Sequence, residues 1–383
     1  MTSQITPNSF LTRTGPSAAA STTVFFISGN PGLISYYHPF LSLLSKYLAE
    51  PEDNGIEAKK LPALQLYGCS LGGFEINSDA SDQLSLSSSP KSDASVPKHR
   101  KQPGKAGDYD LEDQIRFVDQ KLTVLMETTI AARSHDHRPD SSPGGTATQR
   151  PKVILIGHSV GAYIAMEILR RHRETIPKNS SERRAAQLAS MNDYSPPELD
   201  IVGGAMLFPT VIDIAASPSG QKLTTLLSFI PRLAMLVGLL VRLLTFLLPD
   251  FVLRSVVRFV MKSPPSHALD ATVAFLKSSG GVRQALHMAT DEMRTITSDK
   301  WTDDVWGAAT AREPLMKLVF YFGRNDHWVA EKTRNEIIAL RGRKEGSGPT
   351  MLVCEEGLPH AFCLKHSDTM ARKVAGMIRE ILT

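Results

Sequence analysis

The sequence predicts an α/β protein with a mostly parallel sheet covered by helices on both faces. Three observations carry this. Short, nearly continuous apolar runs recur along the chain, at residues 23–28 (TVFFIS), 153–156 (VILI), 201–208 (IVGGAMLF) and 317–322 (KLVFYF). Such runs suit strands buried on both faces. Between them lie segments whose apolar residues recur at three- and four-residue steps, the period of a half-buried helix. The 383 residues are 42% hydrophobic and 21% charged, which is enough apolar material for a sizeable core.

The elements follow in order. Residues 1–22 are polar and read as a flexible leader, with no basic stretch followed by an apolar core of the secretory kind. The strand at 23–28 ends in Gly29-Asn30-Pro31-Gly32, a tight turn. A helix over 36–48 follows, then a short strand at 64–67. A helix starts at Asp110, with Leu111, Ile115, Val118, Leu122 and Leu125 on its buried face. The strand at 153–156 runs into a helix over 162–172. Strands at 201–208 and 317–322, a helix over 331–340 and a last strand at 351–354 precede a closing helix. Met370, Val374, Met377, Ile378 and Ile381 give that helix its apolar side. Three Ser-, Asp- and Pro-rich stretches, 77–107, 134–150 and 178–197, read as disordered insertions. The core is thus 23–208 together with 314–383, and 209–313 is a helical cap.

Bulk chemistry excludes some classes. Net charge is only +4, and Lys98-His99-Arg100-Lys101 is a short solvated cluster, so no nucleic-acid partner is expected. Three cysteines, Cys69, Cys354 and Cys363, have neither paired nor metal-ligand spacing. They suit a reducing compartment, and neither metal nor cofactor is expected.

Two stretches match the G-x-S-x-G pattern of a serine nucleophile: Gly68-Cys69-Ser70-Leu71-Gly72 and Gly157-His158-Ser159-Val160-Gly161. The elbow needs a strand, a strained serine and an immediate helix whose N-terminal N–H groups face the developing oxyanion. Ser159 has a strong strand before it and an unbroken helix after it. Ser70 has only the glycines, so its stretch reads as a glycine-rich loop at the same edge of the sheet.

A serine needs a histidine base oriented by a carboxylate. In the α/β-hydrolase arrangement the chain order is Ser, Asp, His, each beyond a strand end. Asp326 lies four residues past the strand ending at Phe322. His360 lies between the last strand and the last helix. The rivals fit less well. His327 is too close in sequence to Asp326 to face it and is expected to shape the loop or line the pocket. His366 sits beside Ser367, the expected cap of the last helix. Asp303 and Asp304 precede their strand, and His158 is expected to pack under the elbow. The oxyanion donors are expected to be the N–H groups of Val160 and of Asn30, because Pro31 has none.

Residues 223–262 are very apolar. As a membrane span they are poor, because Arg242 interrupts them and Pro231 and Pro249 bracket the longest run. Two helices broken at Pro249 fit better. The second carries Arg254, Arg258 and Lys262 beside Phe251 and other apolar residues, a pattern suited to a lipid interface. Leu239, Leu240, Phe246, Leu247, Phe251, Arg254 and Arg258 are the expected contacts. The competing reading is a buried cap.

The stretches "SGNPGLISYY", "GHSVGAY", "LFPTVIDIAASPSG", "GRNDHWV" and "PHAF", in this order, resemble the lipid droplet-associated hydrolase family of α/β-hydrolases. The resemblance runs from residue 24 to the C-terminus outside the polar insertions. It implies Ser159 as nucleophile, Asp326 as acid and His360 as base. It also implies attachment to lipid droplets and the cytosolic face of the endoplasmic reticulum, and action on lipid esters, sterol esters among them. The expected partners are therefore a lipid ester and that surface, with no obligate protein. Two alternatives stand beside this: a soluble esterase or thioesterase with a hydrophobic cap, and a droplet-surface protein that acts by binding with little turnover.

Overall fold

Among the described residues, eight strands form one sheet in the order β1-β2-β4-β3-β5-β6-β7-β8. They are β1 (Thr2–Thr6), β2 (Ser9–Thr14), β3 (Thr22–Ile27), β4 (Leu64–Cys69), β5 (Lys152–His158), β6 (Asp200–Leu207), β7 (Lys317–Phe322) and β8 (Thr350–Val353). From β4 to β8 all neighbours are parallel, while β1 and β2 are antiparallel additions. This is the α/β-hydrolase fold. The computed structural model describes residues 2–14, 21–50, 61–76, 108–136, 152–175, 199–230, 232–308, 316–343 and 347–383.

The sequence expectation of a flexible leader over 1–22 is corrected. Residues 2–14 form a hairpin that pairs with the edge of β4, Phe10 lying opposite Gly68. The signal was there in weak form. Phe10 and Thr12 alternate inward and are buried, while Ser9, Leu11 and Arg13 between and beside them are only partly buried. The hairpin covers N–H and C=O groups that β4 would otherwise leave unpaired. Its turn is held by Thr6 Oγ1, which accepts the N–H groups of Asn8 and Ser9.

Helices α1 (His38–Ala49), α2 (Leu111–Asp136) and α3 (Val160–Thr175) alternate with the strands, and α9 (Glu331–Arg341) and α10 (Ser367–Leu382) close the chain. Two helix pairs cover the sheet, α1 with α10 and α2 with α3. The expected apolar faces are the buried ones, from Leu111 to Leu125 on α2 and from Met370 to Ile381 on α10. Helix α10 starts one residue earlier than expected, at Ser367, the expected cap itself. His366 occupies the N-cap position, and the Ser367 hydroxyl donates back to the Cys363 carbonyl. Of the three stretches expected to be disordered, 77–107 and 178–197 lie outside the described residues. The second begins inside α2, which runs on to Asp136, and its remainder also lies outside them.

Among the described residues, five cap helices stand between β6 and β7: α4 (Pro218–Phe229), α5 (Leu233–Leu247), α6 (Asp250–Val260), α7 (Ser266–Lys277) and α8 (Gly281–Thr295). The break between α5 and α6 falls at Pro249, because the missing N–H and fixed φ of proline suit a helix start. Helix α6 buries Leu253 and Val257 against Leu269 and Val273 of α7. Its other side leaves Phe251, Phe259 and Val260 in the open, and α5 does the same with Leu239, Phe246 and Leu247. The competing expectation of a buried cap is therefore corrected. Among the described residues no single helix is long and apolar enough to cross a membrane. Helices α4 and α5 pass that test only together, and they meet at 92°.

Candidate active site

Strand β5 lies between β3 and β6 at the centre of the parallel part of the sheet. Its carboxyl end is where an open parallel sheet offers a crevice. Ser159 sits between β5 and α3 with φ of 56°, in the left-handed region that costs a non-glycine residue roughly 1–2 kcal/mol. The glycines around it are required by crowding. A Cβ on Gly157 would meet the Gly161 carbonyl oxygen at 2.4 Å, and one on Gly161 would meet that of Ile27 at 2.4 Å. The strand-serine-helix elbow therefore closes only with these residues.

The structure brings the three expected residues together. His360 Nε2 lies 2.9 Å from Ser159 Oγ, and its Nδ1 lies 2.9 and 2.8 Å from the two Asp326 carboxylate oxygens. A carboxylate can only accept here, so Nδ1 carries the proton. Nε2 is then left as the acceptor for the serine hydroxyl.

Each partner is braced. Asp326 Oδ1 also accepts the Trp328 N–H at 2.8 Å. The Asp326 loop is held by Arg334 of α9, whose guanidinium donates to the carbonyls of Gly323 and Arg324. The His360 loop is anchored by Phe362, fully buried and stacked on Phe208. The His327 side chain is exposed, and its carbonyl accepts the Ser219 N–H, which ties this loop to the start of α4. Asp303 and Asp304 pair with Arg341 and Arg173, away from the serine.

His158 does more than pack. Its Nδ1 lies 2.8 Å from the Tyr37 hydroxyl and its Nε2 2.9 Å from the His360 carbonyl oxygen. That carbonyl can only accept, so Nε2 is the donor and Nδ1 accepts from Tyr37. Burial holds the imidazole pKa well below its ordinary value, and the neighbouring His360 adds to this. The ring is therefore neutral. The Tyr37 oxygen in turn accepts the Gly29 N–H at 3.2 Å.

The turn after β3 reaches the serine by register. Ile27 pairs with Gly157, so Gly29 falls beside Ser159, where an added Cβ would lie 2.9 Å from the serine Cβ. Asn30 follows directly. Val160 begins α3, and the first N–H groups of a helix have no partner inside it.

Ser70 is elsewhere in the sheet and buried. Its hydroxyl accepts the Ile34 N–H and its own N–H donates to the Asn8 carbonyl. The next residue, Leu71, donates to the Gly32 carbonyl at 2.8 Å. The second glycine-rich stretch thus supports the β3 turn from behind. Among the described residues no group of three or more His, Cys, Asp and Glu side chains could hold a metal ion.

A family model for the lipid-droplet associated hydrolases matches residues 20–363. The chain belongs to that family. It is 30% identical to a lipid droplet-associated hydrolase of Gallus gallus over 235 residues, 61% of this chain and 60% of the relative. With the Homo sapiens lipid droplet-associated hydrolase it shares 23% over 361 residues, 94% of this chain and 85% of the relative. Among solved structures, the haloalkane dehalogenase DbeA from Bradyrhizobium elkani USDA94 superposes with a TM-score of 0.50 at 14% identity, covering 100% of this chain and 98% of that one. At that identity the likeness concerns the fold alone. This family member thus shares the α/β-hydrolase fold.

His158, Tyr37 and Arg334 were not identified as parts of the site from sequence. For His158 a signal existed, its place inside the elbow. For Tyr37 and Arg334 there was none, because each acts through contacts that only the folded loops bring about.

Proposed function

We propose that this hydrolase is a serine esterase or lipase that cleaves carboxylic esters of lipids, acylglycerols and sterol esters among them, at a lipid surface. One observation carries the reading: His360 stands between Ser159 and Asp326 with a ring nitrogen within 2.9 Å of each. Ser159 Oγ attacks the ester carbonyl as His360 Nε2 takes its proton. Asp326 keeps the imidazole in the required tautomer and stabilises the imidazolium. The N–H groups of Val160 and Asn30 face the developing oxyanion, where such donors contribute most. His360 then gives the proton to the leaving alcohol. Water, activated by the same imidazole, hydrolyses the acyl-enzyme and restores Ser159.

The surface is the second half of the reading. Phe246 and Phe259 are each 85% exposed on α5 and α6, amid Leu239, Leu240, Leu247 and Phe251. A contiguous apolar face of this kind marks a contact with protein or lipid. Arg258 stands exposed beside it, and Arg254 is exposed but paired with Asp270. Cations at the rim of such a face suit lipid phosphates. The names of the relatives support a lipid droplet as that surface, and the same chemistry suits the cytosolic face of the endoplasmic reticulum.

A fluorophosphonate probe tests the chemistry. Wild-type protein should label and Ser159→Ala should not; labelling that persists in Ser159→Ala would overturn the esterase reading.

A further inference from the structure

We propose that Glu292, on cap helix α8, is a positioning residue that holds the oxyanion turn by its hydrogen bond to Asn30. The inference rests on the esterase reading above and goes beyond it. The Asn30 side chain leaves the turn and reaches the cap. Its Nδ2 donates to the Ala285 carbonyl at 2.9 Å and to Glu292 Oε1 at 3.0 Å. Ala285 and Glu292 are seven residues apart, two helical turns, and so lie on one face of α8. Asn30 Oδ1 is buried with no hydrogen-bond partner. Both polar anchors of the amide therefore sit on one helix, and the placement of Asn30 follows that helix.

Glu292 is 4% exposed, and among the described residues the neighbours that act on its carboxyl are Asn30 and Asp291. Burial pushes its carboxyl up to about 8, Asn30 opposes the rise and Asp291 adds to it. It is thus a neutral acid at pH 7, able to accept from Asn30 without burying a charge. Most charged groups on the flanking elements are paired or exposed, Arg294 of α8 among the exposed ones, while His287 of α8 and Asp213 are half-buried. Asp291 accepts the Leu111 N–H of α2. Asp270 and Lys277 of α7 pair with Arg254 and Asp250. His267 of α7 bonds the Cys363 carbonyl. Arg242 of α5 and Lys222 of α4 are exposed, and Arg283 of α8 pairs with Asp108. Across the turn lies the Ser159–His360–Asp326 assembly itself. When Glu292 ionises, a carboxylate appears one side chain away from an oxyanion donor, in a site where water screens little. It repels the oxyanion more than the neutral ester, so the loss falls on kcat.

The test is the pH dependence of p-nitrophenyl butyrate hydrolysis by wild type, Glu292→Gln, Glu292→Ala and Ser159→Ala. Wild type should lose kcat about tenfold above pH 8 with KM unchanged. Glu292→Gln, the isostere of the neutral acid, should keep its kcat at pH 7 and lose the alkaline decline. Glu292→Ala should lower kcat about tenfold at pH 7. An alkaline decline that persists in Glu292→Gln would overturn the proposal, as would failure of Glu292→Gln to fold or full kcat in Glu292→Ala. If wild type turns over no faster than Ser159→Ala at any pH, it is the esterase reading that fails.

Discussion

His158 Nε2 donates to the carbonyl oxygen of His360 at 2.9 Å, so the residue before Ser159 holds the residue hydrogen-bonded to the Ser159 hydroxyl. The same ring accepts from Tyr37, which binds the Gly29 N–H of the oxyanion turn. One neutral imidazole thereby joins the elbow, the base loop and the turn. His158→Phe should lower kcat about tenfold with little change in KM, because a buried carbonyl is left unpaired and the base loop loses its tether. Tyr37→Phe should cost less. A double-mutant cycle on kcat should find the two coupled rather than additive.

The two glycine-rich serines separate by experiment. Ser159→Ala should abolish fluorophosphonate labelling. Ser70→Ala should leave labelling intact but reduce stability by about 1 kcal/mol, since the buried Ile34 N–H loses its acceptor. A thermal melt measures the second effect and gel fluorescence the first.

Phe246 and Phe259 contribute little to the core, being largely exposed. Phe246→Glu combined with Phe259→Glu should leave the melting temperature within a few degrees of wild type and labelling unchanged. Flotation with lipid droplets should fall severalfold, because two carboxylates then oppose transfer of that face into lipid. Retained flotation would show that another surface makes the contact.

Glu292 also sets a pH dependence of stability. Its carboxyl rises from 4.5 to about 8 on folding, so the folded chain binds this proton more tightly than the unfolded one. Its contribution is full below pH 4.5, is lost as pH rises through this window and is level above about 8. The melting temperature of wild type relative to Glu292→Gln should therefore decline between these values. A constant difference would mean that the carboxyl titrates normally.

Much of this architecture is legible in local pattern. Strands such as β5 and β7 declare themselves because a strand buried on both faces must be apolar throughout. Ser159, Asp326 and His360 could be selected because each follows a strand and so reaches the same edge of the sheet. The hairpin of β1 and β2 was missed because only Ile5, Phe10 and Leu11 break an otherwise polar segment, and its partner strand lies more than fifty residues on. His158 was underread because its partners, Tyr37 and His360, are 121 and 202 residues away.

The sequence by itself determined the alternation of strands and helices, the strand-serine-helix elbow at Ser159 rather than Ser70, the order of the three residues that meet around it and the apolar character of the cap. Burial periodicity and turn chemistry act over a few neighbouring residues, so they can be read from them. The tertiary structure alone decided that α5 and α6 present their apolar side outward, that Asn30 is held by Glu292, and that His158 holds His360. Each of these depends on which distant groups share a space too small for water. There an unpaired N–H or carbonyl is costly, and its partner is settled only once the sheet and cap have closed around it.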